Sequence, residues 1–160
     1  MIDMLFTRYI DMKKMIIVSV VFLSVLAAHA QTADFVTEML SAHGADYGQV
    51  SYLSAVYQDF VDETASYDEA FTALKNAGQL PYGVNKADTV NMAGLSYMMA
   101  ELWPVKGGLM FRVTKGSPRY AFRQFKADGI IPVDADPSEK VSGTDVLTMY
   151  TACQNTYGSK

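Results

Sequence analysis

Apolar residues recur at helical spacing through most of this chain, and polar caps or Gly/Pro stops punctuate them. Thr32 opens a first predicted helix whose stripe is Phe35, Met39 and Leu40, ending at Gly44. A second begins near Gln49, with Leu53, Val56, Tyr57 and Phe60 at i, i+3, i+4 and i+7 and acids on its outer side. Ser66 and Glu69 form a capping box for a third, which buries Ala70, Phe71, Leu74 and Ala77 and stops at Gly78 before Pro81. Asn91 caps a fourth, striped by Leu95, Met98, Met99 and Leu102 and ended by Pro104. Ser117-Pro118 opens a fifth that buries Phe122 and Phe125 and stops at Gly129. Ser142 and Asp145 cap a sixth, striped by Val146, Met149, Tyr150 and Cys153. The prediction is an all-α bundle of five to seven helices.

Two of these helix pairs are one pattern used twice. A gapless shift of 51 positions carries residues 66–102 onto 117–153, placing Ser66 on Ser117, Lys75 on Lys126, Gly78 on Gly129 and Val90 on Val141. Self-similarity at a fixed period points to two helix–loop–helix repeats. The linker between them carries a Gly107-Gly108 turn and the apolar run Leu109 to Val113. It reads as an ordered segment packed over the repeats, with a short extended piece within 105–116 or an extra helical turn.

The first thirty residues have a different character. Lys13-Lys14, an apolar run from Met15 to Leu26 and Ala28-His29-Ala30 follow the order of a secretory signal peptide, with residues 1–11 read as an over-extended start. The expected organisation is a leader over 1–30 and one helical domain over 31–160. Such a chain would be exported, periplasmic or at the outer surface of a bacterium, with no membrane span after cleavage. One Cys excludes an internal disulfide.

Charge changes this picture most. Beyond residue 30 there are ten Lys/Arg and fifteen Asp/Glu, a net of −5. Lys106, Arg112, Lys115, Arg119, Arg123 and Lys126 nevertheless fall together with no acid between Glu101 and Asp128, leaving about −11 for the remainder. Arg119, Arg123 and Lys126 stand at i, i+4 and i+7 and share a helix face. Trp103 and Tyr120 would add stacking surface. The expected use of this face is contact with an anionic partner: cell-wall polymer, acidic lipid or an acidic protein. The competing expectation is internal pairing with the acids of Asp59 to Glu69. Nucleic acid is excluded by the acidic balance and the absence of a nucleic-acid module.

Catalytic chemistry finds little material. Cys153 occupies the core-stripe position of Leu102. His43, beyond the leader, stands alone before Gly44. Asp134, Asp136 and Glu139 lack the glycine and ligand spacing of a calcium loop. No nucleotide loop, zinc-protease helix or serine elbow is present. No cofactor, metal or catalytic residue is expected.

The helix ending in Gly129-Ile130-Ile131, the loop through Asp136-Pro137 and the opening Val141-Ser142-Gly143-Thr144-Asp145 resemble the S-layer homology repeat. Ala70-Phe71 to Gly78-Gln79-Leu80, with Val90-Asn91, follow the same order more loosely. The resemblance covers a little over half of residues 31–160 and implies helix–loop–helix units that anchor exported proteins to cell-wall polysaccharide. The Arg of that family's Thr-Arg-Ala-Glu opening is absent from both copies, so its binding positions do not carry over. The functional expectation is a non-catalytic envelope module that binds or scaffolds through the basic face. The alternative is a protein–protein subunit or homodimer using its surplus Met and Tyr, with a small enzyme as the lesser reading.

Overall fold

The computed structural model describes residues 35–41 and 44–158. The predicted leader, the Thr32 cap and His43 lie outside the described residues. The chain divides into Met1–Val36 and Thr37–Lys160, and the fold below is that of the second unit. Helix α1 covers residues 35–41. It is followed by α2 (Tyr47–Tyr57), α3 (Tyr67–Asn76), α4 (Met92–Leu102), α5 (Leu109–Val113), α6 (Pro118–Ala127) and α7 (Gly143–Tyr157). The protein is all-α, with isolated β-bridges and no strand among the described residues.

Local chemistry sets most helix ends. Ser66 and Glu69 form the predicted box on α3, Ser142 and Asp145 form one on α7, and the Asn91 side chain accepts from Gly94 N–H on α4. Gly78 and Gly129 take φ of +73° and +75°. Each lets the following amide reach back to a last-turn carbonyl, Gln79 to Leu74 and Ile130 to Phe125. Asp59 and Lys115 do the same for α2 and α5 at φ of +56° and +51°, although they carry a Cβ. The offset of 51 relates the bounds of α3 to those of α6, and the start of α4 to that of α7.

The helices of one unit do not pack mainly on each other. α3 lies against α2, and α4 lies against α6. The tie is a closed ring of backbone hydrogen bonds at the entrances to α2, α4 and α7. Ala45 N–H donates to Val141 C=O at 2.9 Å, Val141 N–H to Val90 C=O at 3.1 Å, and Val90 N–H to Ala45 C=O at 2.9 Å. All three side chains are fully buried. The helix starts crowd together behind this ring. A side chain at Gly143 would overlap the Met39 carbonyl, and one at Gly94 would meet the Tyr47 hydroxyl.

Three expectations are corrected. In α2 the buried face is Val50, Ser51, Ser54 and Ala55, while Tyr57 and Phe60 are exposed. Small side chains let its neighbours approach closely there, while Leu53 and Val56 of the larger apolar stripe are only half-buried. α2 also starts two residues earlier than Gln49, because Asp46 and Gln49 make a capping box. In the linker, Leu109 to Val113 takes the second of the two expected forms, a helical turn. At α6, Ser117 precedes Pro118 but its hydroxyl makes no cap hydrogen bond.

Candidate binding face

The side chains of α6 sort cleanly by face. Ala121, Phe122 and Phe125 are buried, and Arg119 and Arg123 are exposed on another side of the same helix. The Arg123 guanidinium lies 5.8 Å from the centroid of the Tyr120 ring, over its face. Lys106, Arg112 and Lys115 are exposed on the segment leading to and through α5. Lys126 differs from these five. Its ammonium donates to Ala135 C=O at 2.9 Å and sits 5.0 Å from the Phe122 ring, so it clamps α6 to the loop after it.

The expected pairing of this face with the acids of Asp59 to Glu69 does not occur among the described residues. Asp68 instead pairs with Lys86 at 2.6 Å, and none of the six cations makes an ion pair there. Their field is therefore not cancelled by a contacting carboxylate. An open groove of about 410 Å³ lies among them, with Lys106, Arg112, Lys115 and Glu101 on its walls and Phe111 in its lining. Desolvation raises the carboxyl of Glu101, the acid in this groove's lining, above its ordinary pKa.

α5 is tied to α6 by one hydrogen bond at its N-cap, made to a glutamine that α6 itself holds in place. Gly108 N–H donates to Gln124 Oε1 at 3.0 Å, while Gln124 Nε2 donates to Asp128 Oδ1 at 2.9 Å. The Phe111 ring folds back over Gly107 and against Gly116, where any side chain at Gly107 would collide with it. The rest of the apolar run is not covered. Leu109, Met110 and Val113 are 77%, 49% and 68% exposed. Within α5, only Phe111 turns inward, while the linker around it is held against α6.

Trp103 is also corrected as a stacking residue. It is 4% exposed and packs with Tyr57 and Tyr150 at ring separations of 5.6 and 4.8 Å. Tyr120 stays half-buried beside Arg123. Leu109, Met110 and Val113 are not among the site residues that the sequence pointed to. The available signal was their position between two glycine-containing turns within the acid-free stretch.

Other candidates are absorbed by the fold. Cys153 is fully buried, and burial pushes its thiol up to about 12. Asp136 accepts from Ser138 N–H and Oγ, which holds its carboxyl below the ordinary range and forms the loop turn. A cavity of about 380 Å³ is lined by Asp134, Glu139 and Asp145 over Ile131 and Met149, but Asp145 is engaged by Ser142. No group of three or more His, Cys, Asp or Glu among the described residues is arranged to hold a metal. Comparison of the chain with protein-family models, with curated proteins and with solved structures finds no match.

Proposed function

We propose that this chain is an exported, non-catalytic module of the cell envelope that binds an anionic partner on the face built by α5 and α6. The observation that carries the reading is five exposed cations, Lys106, Arg112, Lys115, Arg119 and Arg123, with no carboxylate in contact among the described residues. Cations left without internal partners project their field into solvent and recruit anions from it. Phosphate and carboxylate groups suit the guanidinium forks of Arg119 and Arg123, which take two oxygens at once. The thiol of Cys153 is buried in the core and offers no nucleophile to this face.

The test is binding to a soluble polyanion, inorganic polyphosphate, and to vesicles rich in phosphatidylglycerol. Arg112, Arg119 and Arg123 are replaced together by Glu, and Lys126 is left alone because it holds the loop. Wild-type binding to at least one probe, weakening as salt rises, with a tenfold or larger loss in the variant, is expected. Equal retention of the two proteins removes the basic face from the reading.

A further inference from the structure

We infer that α5 is a membrane-surface docking element, which enters the headgroup–acyl boundary of an anionic bilayer. This rests on the basic face being the contact surface, and it adds the class of partner.

The single turn of α5 is amphipathic in the reverse sense to a core helix. At about 100° per residue, Leu109, Val113 and Met110 share one arc, and Phe111 projects from the opposite side. The outward arc carries the apolar side chains that are 77%, 68% and 49% exposed, and the inward side carries the ring anchored against Gly107 and Gly116. Apolar groups held outward by a pinned turn gain nothing from water, so a surface that covers them is part of the design.

The surroundings say which surface fits. Lys106 precedes the turn, Arg112 lies within it, and Lys115 follows at its C-terminal end. Arg119 and Arg123 extend the positive zone along α6. A short apolar projection with Lys and Arg before, within and after it along the chain matches an anionic bilayer, where the apolar residues enter the boundary and the cations meet headgroup phosphates. A polysaccharide or a soluble polyphosphate would use the cations but leave the Leu109 arc in water. The acidic remainder of residues 31–160, about −11, is repelled by the same bilayer and favours presentation of α5 first.

The experiment uses the full chain with a polarity-sensitive dye on Met110→Cys, the buried Cys153 leaving the new thiol as the reactive one. The dye reports immersion of α5 itself, whatever other segment touches the vesicle. With phosphatidylglycerol vesicles a blue shift is expected that weakens with salt. With phosphatidylcholine vesicles or inorganic polyphosphate, no shift is expected. Adding Leu109→Ser and Val113→Ser is expected to cut the vesicle response about tenfold while leaving polyphosphate binding unchanged. Polyphosphate binding without a shift on phosphatidylglycerol overturns membrane docking and leaves the anionic-partner reading standing. An equal shift on phosphatidylcholine overturns the role of charge in docking, and failure to bind either anionic probe overturns both readings.

Discussion

At the residue scale, the cost of burial decides what each side chain can do. Cys153 has the chemistry of a nucleophile, but its thiol is fully buried and its pKa is raised from 9.0 to about 12 by desolvation. A pKa raised in the folded state means that the unfolded chain loses its proton first. The stability contributed is complete below pH 9.0 and declines as pH climbs toward about 12. Cys153→Ala is therefore expected to flatten part of the alkaline fall in unfolding free energy, measured by urea titration at pH 8 and pH 10. An unchanged slope would show that the thiol does not contribute to that fall. Ser54 gives a second case, since its hydroxyl is buried without a hydrogen-bond partner. Ser54→Ala should be neutral or stabilise by up to about 1 kcal/mol, because it removes an orphaned polar group. Sequence patterning could not have identified this site, because a serine in a helix reads as surface until its neighbours are known.

At the element scale, the caps and stops were legible and the buried faces only partly so. Ser66–Glu69, Asn91 and Ser142–Asp145 cap where the sequence places them, because capping needs residues within one turn of each other. The stripes of α4 and α7 face the core for an equally local reason, their period. α2 departs because its neighbours come close over Ser51, Ser54 and Ala55, a fact of three-dimensional packing. The first turn of α7 is closer still. Gly143→Ala should cost about 2 kcal/mol, because the new methyl meets the rigid Met39 backbone carbonyl. Gly94→Ala meets side-chain atoms, the Tyr47 hydroxyl and less closely the Asn91 Oδ1, and should cost less, as thermal denaturation of the pair can check. A cost ordering opposite to this would mean that the Met39 carbonyl yields more readily than the Tyr47 hydroxyl.

At the scale of the whole molecule, the ring formed through Ala45, Val90 and Val141 joins three helix entrances that are far apart in sequence. Val141→Pro removes the N–H that donates to Val90 and leaves a buried carbonyl unpaired, at an expected cost of about 3 kcal/mol. The unfolding transition should shift as one step. Melting of α7 alone, seen as a separate early loss in hydrogen exchange, would show that the ring does not couple the helices. The same long-range packing frees the basic face. α6 turns Phe122 and Phe125 inward against α4, which leaves Arg119 and Arg123 toward solvent and Asp68 to pair elsewhere.

The sequence by itself determined what depends on near neighbours along the chain: helical class, capping boxes, glycine stops, the offset of 51 and the clustering of cations. These follow from backbone propensity, short-range hydrogen bonds and a one-dimensional charge count. Tertiary structure alone decided which faces are covered. It buried Trp103 between Tyr57 and Tyr150, clamped Lys126 to Ala135, left the remaining cations without a carboxylate partner among the described residues, and turned Leu109, Met110 and Val113 outward. The physical reason is that burial and ion pairing depend on approach between distant segments. Apolar spacing shows that a residue can be buried, and only the packed neighbours establish whether it is.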